Sequence, residues 1–325
     1  MNDASVAASR PAEPVRDLAF VFPGQGSQSV GMLAELSAQH AEIRAAFAEA
    51  SDGAGRDLWA LSQQGPEEEL GRTENTQPAL LAAGVAVWRA WRAAGGPLPA
   101  MLAGHSLGEY SALVAAGVLS LHDAAGLVAE RGRLMQAAVP EKVGAMAAVL
   151  GGDEAEIAQV CEDVAHGQVV APANYNAPGQ LVIAGHAEAV DRALAALAER
   201  GIRKTVKLAV SVPSHTTLMR EAADKLAERM AALSWSEPAL PVLQNADADT
   251  HSSVAHIRAS LARQLYMPVR WSESMALLGR AGITRMAECG PGKVLCGLVK
   301  RIDKSIAARP LGSPAEFDAA LAEWR

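Results

Sequence analysis

The sequence predicts an α/β protein in which a compact mixed unit interrupts a larger α/β domain. Three observations predict it. The opening segment DLAFVFPGQGSQSVGM, residues 17–32, runs from an apolar strand through a break at Pro23-Gly24 into a helix. The stretch from Val143 to Val210 reads strand, helix, strand, strand, helix, strand. The chain has 325 residues, half of them apolar, which is enough to bury the core of one large or two medium domains.

The elements follow in chain order. Residues 1–16, MNDASVAASRPAEPVR, are small, polar and proline-containing, with Asp3 and no apolar run of signal-peptide length, so they read as a disordered leader. A buried strand is expected over Leu18–Phe22. Helical patterns then dominate to about Gln136, interrupted by Gly-Gly-Pro at 95–97 and by the short apolar run Met101-Leu102-Ala103. From Val143 the texture changes: AMAAVL (strand), DEAEIAQVCEDVA (helix), GQVVAPANY (strand), APGQ (turn), LVIAG (strand), AEAVDRALAALAER (helix) and RKTVKLAV (strand). That order is the ferredoxin-like pattern, a unit that can be inserted whole into a larger domain. The expected division is therefore 17–140 with 210–325 for the large α/β part and 141–209 for the small one. A long amphipathic helix is expected from His215 to about Leu233. ITRMAECGPGKVL then reads as a final strand, a loop and a helix carrying Lys293, Lys300 and Arg301.

Composition narrows the function. A net charge of −7 and only 4% aromatic residues disfavour nucleic acid as a partner. The longest apolar stretch, Ala79 to Trp88, is too short to cross a bilayer and is followed by Arg89, so no membrane partner and a cytoplasmic location are expected. The three cysteines, Cys161, Cys289 and Cys296, contain no C-x-x-C pair, which argues against a disulfide framework and against a zinc site.

LAGHSLGEYSA, residues 102–112, holds Ser106 in a G-x-S-x-G frame between a short strand and a helix. A nucleophile elbow requires this order, because the serine sits on a strained turn and only small residues two places either side leave room. Taken alone, the frame also fits a plain glycine-rich turn with a capping serine. Of eight histidines, His40, His166, His186, His251 and His256 lie in polar or helical stretches, and His122 begins a helix. His105 adjoins Ser106 but points away from it on a tight turn. His215, in LAVSVPSHTTLM, follows a strand and precedes a helix, where α/β domains carry site residues, and is the candidate base. Its orienting partner is open: Asp247, Asp249 or a backbone carbonyl. The order Ser, then His, with about a hundred residues to follow does not fit a plain hydrolase. GQGSQSVG lacks the third glycine of a dinucleotide loop and the lysine of a Walker loop, but can present the Gln25 N–H to an oxyanion.

Taken together, FVFPGQGSQSVGM, GHSLGEYSALVAAG, RGRLMQ, NYNAPGQLVIAG, VSVPSH, QLYMPVRW and ECGPGKVL resemble, in this order, the malonyl-CoA:acyl-carrier-protein transacylases of bacterial fatty-acid synthesis, from about Leu18 to Ile306. Acyltransferase domains of polyketide synthases share the elbow and the arginine. The resemblance implies an α/β-hydrolase-like core with an inserted ferredoxin-like subdomain. It implies that Ser106 carries the acyl group, His215 is its base, and Arg131 holds the malonyl carboxylate. Gln25 and Leu107 would form the oxyanion hole, and the Gln264 carbonyl would orient the histidine. Malonyl-CoA is then a substrate, acyl carrier protein the partner that brings phosphopantetheine, and no cofactor is bound. A guanidinium suits a carboxylate because it donates two parallel hydrogen bonds. Carrier proteins of this kind are acidic, so basic docking residues are expected; Arg203, Lys204, Lys207, Lys293, Lys300 and Arg301 are the candidates. A serine thioesterase, or a non-enzymatic acyl-binding subunit, is the alternative.

Overall fold

The computed structural model describes residues 13–140, 142–210 and 212–325. Residues 1–12 of the expected leader lie outside the described residues. Among the described residues, strands β1 (Val15–Phe22), β2 (Pro99–Gly104), β3 (Gly144–Leu150), β4 (Val170–Ala177), β5 (Gln180–His186), β6 (Lys204–Lys207), β7 (Val242–Gln244), β8 (Asp249–Thr250), β9 (Arg285–Glu288) and β10 (Ala307–Pro310) build two sheets.

The larger sheet runs β10-β9-β1-β2-β7-β8, parallel except for β8. Leu18 to Phe22 are all buried, as a central parallel strand covered on both faces demands. Their alternation divides the core. Leu18, Phe20 and Phe22 pack with Leu102 against helices Ala41–Ala54, Thr73–Ala93 and Leu121–Ala138, while Ala19 and Val21 join Trp271, Met275, Leu295 and Val299 on the opposite face. Phe20 meets Trp88 and Trp91 edge-on at centroid distances of 5.5 and 5.4 Å. This is the α/β-hydrolase-like core.

The smaller sheet runs β4-β5-β3-β6 and is antiparallel throughout, the order of a ferredoxin-like unit. Helices Glu154–Asp163 and Ala187–Glu199 cover one face, burying Ile157, Val160, Val190 and Leu197 on Val149, Leu181 and Ile183. Its β4 edge is stitched to the rest of the molecule by backbone bonds from Tyr175 N to Val269 O and from Val269 N to Ala173 O, each 2.9 Å.

Four boundaries differ from expectation. β1 starts at Val15 rather than Leu18, taking Val15 and Arg16 from the expected leader; Val15 donates to Leu98 O, and that bond extends the pairing. The expected strand 203–210 shrinks to Lys204–Lys207, the residues in register with β3, and its pairing ends just beyond them with Leu208 N donating to Met146 O at 2.9 Å. The helix after His215 begins only at Arg220, behind a 3-10 turn at Thr217–Met219. β9 is not the last strand: β10 adds to the sheet edge beyond it.

Candidate active site

The carboxyl ends of β1, β2 and β7 lie side by side, where open α/β sheets carry their sites. β2 ends at Gly104 and the elbow helix starts at Gly108, leaving a turn of three residues. Ser106 takes φ of 52°, in the left-handed region, which costs a non-glycine residue about 1–3 kcal/mol. Both glycines of the frame are required by space: a Cβ on Gly104 would fall 1.9 Å from the Gly108 carbonyl carbon, and one on Gly108 would fall 2.0 Å from Phe22 O.

Asn245, just beyond β7, braces this turn. Its Oδ1 accepts from Ser106 N at 2.7 Å and its Nδ2 donates to Gly104 O at 2.7 Å. The Gln264 Nε2 donates to Ser106 O at 2.9 Å. Such bonds from distant segments hold a strained residue in place.

Ser106 Oγ lies 2.8 Å from His215 Nε2. The other ring nitrogen, Nδ1, is 2.7 Å from Gln264 O, an acceptor only, so the proton sits on Nδ1 and Nε2 is free to accept from the serine. Burial, and then the Arg131 charge, lower His215 from its ordinary value to about 3, so the imidazole stands neutral. Neither aspartate orients it. Asp247 accepts from Arg263 at 2.5 Å and from His251 at 3.0 Å, and Asp249 is exposed on β8. His105 turns away, with Nε2 2.8 Å from Asn176 Oδ1 at the end of β4.

Arg131 comes from helix Leu121–Ala138 and is 1% exposed. Nη1 donates to Gln77 Oε1 at 2.7 Å; Nη2 donates to Gln264 Oε1 at 3.0 Å and lies 3.5 Å from Ser106 Oγ. Tyr110 carries the guanidinium on its ring at 5.5 Å. Among the described residues no carboxylate touches Arg131, and its Nε has no acceptor. Gly132 lets this helix approach Thr73–Ala93 closely, since a Cβ there would fall 2.5 Å from Glu74 Cα. That approach brings Gln77 to the arginine.

Glu109 lies behind the elbow and is fully buried. It accepts from Gln244 Nε2 at 3.2 Å, Asn245 N at 2.9 Å and Gln264 Nε2 at 2.8 Å. Burial raises it from the ordinary carboxylate value to about 7 against these bonds, which favour its ionised form.

The Gln25 and Leu107 amides are unpaired among the described residues; Leu107 is buried directly before the elbow helix, and the Gln25 side chain reaches Thr73 at 3.4 Å. The six basic candidates are all exposed and fall into two sets. Arg203, Lys204 and Lys207 are on or beside the edge strand β6, with Lys207 paired to Asp191 at 2.5 Å; Lys293, Lys300 and Arg301 belong to helix Val294–Ile302 and its N-cap. Among the described residues no cluster of three His, Cys, Asp or Glu could hold a metal, all three cysteines are free and buried, and no helix is long and apolar enough to cross a membrane.

The sequence alone did not single out Glu109, Gln77, Asn245 or the Gln264 side chain. Glu109 had a signal, as the one acid in an otherwise apolar helix directly behind the serine. Asn245 had another, as a polar residue at the end of a buried strand.

The family model described as "Acyl transferase domain" matches residues 19–295. The chain belongs to the acyl transferase domain family. Within it, the chain is 55% identical over 305 residues to the malonyl CoA-acyl carrier protein transacylase of Salmonella typhimurium, covering 94% of this chain and 99% of that one. The crystal structure of the malonyl-CoA:acyl carrier protein transacylase of Xanthomonas oryzae superposes with a TM-score of 0.95 at 67% identity, over 96% of this chain and 99% of that one. A malonyl-transacylase solved in complex with its type II PKS acyl-carrier protein superposes at 0.93 and 51% identity, over 94% and 99%.

Proposed function

We propose that this acyl transferase moves a malonyl group from malonyl-CoA, through an ester on Ser106, to the phosphopantetheine thiol of acyl carrier protein, supplying fatty-acid elongation. The observation that carries the reading is Arg131, a buried cation aimed at the serine with no carboxylate against it among the described residues. A buried guanidinium with a free Nε and no carboxylate in direct contact has donors to spare, and a malonyl carboxylate suits them. A thioesterase for uncharged acyl groups has no use for such a guanidinium. The relatives named above cover nearly the whole chain and carry the same activity in their names.

The steps follow from the geometry. Nε2 of His215 takes the Ser106 proton as Oγ attacks the thioester carbonyl carbon. The oxyanion accepts from the Gln25 and Leu107 amides. The carbon–sulfur bond breaks, and the CoA sulfur leaves with the proton held by His215. The carrier's thiol then gives its proton to His215, attacks the ester carbonyl, and Ser106 recovers its proton as the malonyl thioester departs. The proton, the acyl group and the serine balance, so the cycle calls on no bound cofactor. The reading also takes 141–209 as a small subdomain, the two basic sets as carrier-docking surfaces, and the cytoplasm as the place of work.

Intact-protein mass spectrometry tests it. Brief mixing with malonyl-CoA should add one malonyl mass that needs Ser106, and addition of phosphopantetheinylated carrier protein should remove it to the carrier. No adduct, or an adduct that decays to free malonate with the carrier untouched, overturns the reading.

A further inference from the structure

The malonyl-transfer reading leaves Glu109 without a part, and the inference drawn here rests on that reading. Glu109 is fully buried and one amide removed from Arg131: Gln264 donates to its Oε2 through Nε2 and accepts from Arg131 through Oε1. The charged and titratable groups around it are Arg131 from helix Leu121–Ala138, Tyr110 on its own helix, His215 and His105 at the nucleophile, and Asp247 beyond β7. Arg131 is the cation among them that has no carboxylate in contact. In the empty site one positive and one negative charge balance across Gln264. An acyl carboxylate on Arg131 leaves one buried cation serving two buried anions, and two such anions do not both stay ionised cheaply.

We propose that Glu109 balances the charge of the incoming carboxylate: it is ionised while Arg131 faces an empty site and takes a proton from a solvent acid when the acyl carboxylate pairs with Arg131. His215 cannot serve, because a protonated imidazole has no lone pair for the serine proton.

A second observation supports the protonated state. The groups facing Glu109 in the empty site all donate, so a proton on its Oε1 needs an acceptor. Gln244 Oε1 is buried and has no partner among the described residues. Turning that amide over gives up the 3.4 Å bond from its Nε2 to Ile257 O and replaces the Nε2 now 3.2 Å from Glu109 Oε1 with this oxygen. The bonds to Oε2 from Asn245 and Gln264 are untouched, so Gln264 keeps its hold on Arg131. Burial places Glu109 near neutrality already, so a second anion suffices to tip it.

Isothermal titration of Ser106→Ala protein with malonyl-CoA, in buffers of different ionisation enthalpy, counts the protons taken up. Acetyl-CoA, which lacks the carboxylate, is the reference. With Glu109 at about 7 in the empty site, malonyl-CoA should take up about half a proton or more per site beyond acetyl-CoA at pH 8, falling towards zero at pH 6, where Glu109 is already protonated. Adding Glu109→Gln should abolish the difference. This variant is isosteric: its Oε1 accepts from Asn245 and Gln264, and its Nε2 donates to the turned-over Gln244. In protein with Ser106 intact, the malonyl-to-acetyl loading ratio should fall several-fold from pH 7 to 8.5 and stay flat in Glu109→Gln. Equal uptake for the two thioesters, uptake that persists in Glu109→Gln, or loading ratios of the same pH dependence in both proteins overturns the proposal. Failure of the unaltered protein to load malonyl at all overturns the transfer reading instead.

Discussion

The two sheets divide the work. Among the described residues, the buried polar and charged side chains of the large region include Gln77, Glu109, Arg131, His215, Gln244, Asn245, Gln264 and Glu288, whereas Asn174 is the one such residue between Gly144 and Lys207. The small sheet buries an apolar core under two helices and keeps its charges outside. A parallel sheet sends its strand ends to one edge, so side chains from distant segments converge there. In the small sheet neighbouring strands run antiparallel, so their carboxyl ends alternate between opposite edges and no single edge gathers such a cluster. Polar groups are costly to bury unless they are satisfied; around the serine Gln77, Glu109, Arg131, His215, Gln244, Asn245 and Gln264 bond to one another, while Glu288 is held apart by the Leu295 and Cys296 amides.

Removing the nucleophile or its base should have the largest effect. Ser106→Ala and His215→Ala should each lower the rate of malonyl-enzyme formation by about 10³-fold or more, read by rapid-quench mass spectrometry. Arg131→Ala should cost malonyl loading about 2–4 kcal/mol, or roughly 30- to 1000-fold, and acetyl loading far less. Equal losses for the two acyl groups would make Arg131 a structural residue.

Smaller effects are expected in stability. Glu109 is raised in the folded state, so the fold binds a proton that the unfolded chain releases above its ordinary value; that contribution is present at low pH and is lost as pH rises through about 7. His215 is lowered, so the unfolded chain binds the extra proton between about 3 and 6.5, and its contribution is lost as pH falls through that range. The two oppose each other in mildly acid solution. Glu109→Gln should therefore gain stability relative to the unaltered protein between pH 5 and 8, by about 1–3 kcal/mol, in urea unfolding. In the small sheet, Ile183→Val should cost about 0.5–1.5 kcal/mol and change Ser106 loading less than twofold. Charge reversal at Arg203 and Lys204 should slow transfer to the carrier several-fold without changing loading from malonyl-CoA. Equal loss in both half-reactions removes β6 from the docking surface.

Much of this arrangement was legible in the sequence where the physics is local. The elbow announces itself because Gly104 answers a clash with Gly108 inside a five-residue window, although Gly108 itself answers a distant one, with Phe22 O. The β-α-β-β-α-β order could be read because each of its elements carries its own period. β10 could not, since Ala307–Pro310 alternates half-exposed and exposed residues and is a strand only because β9 lies beside it. The Gln264 side chain was illegible for the same reason. Its bonding partners Ser106, Glu109 and Arg131 are 158, 155 and 133 residues away, and no spacing encodes such a meeting.

Those separations also set an order in time. Ser106 is braced by Asn245, 139 residues later, and by Gln264, 158 residues later, and it meets its proposed base 109 residues on. At the usual pace of synthesis the ribosome takes about 8–30 s to travel from the serine to the last of them. Through that interval the emerging polypeptide holds the nucleophile's turn without the groups that make it reactive. The chemistry is switched on by the final third of the chain, so an unfinished product is inert towards the thioesters around it.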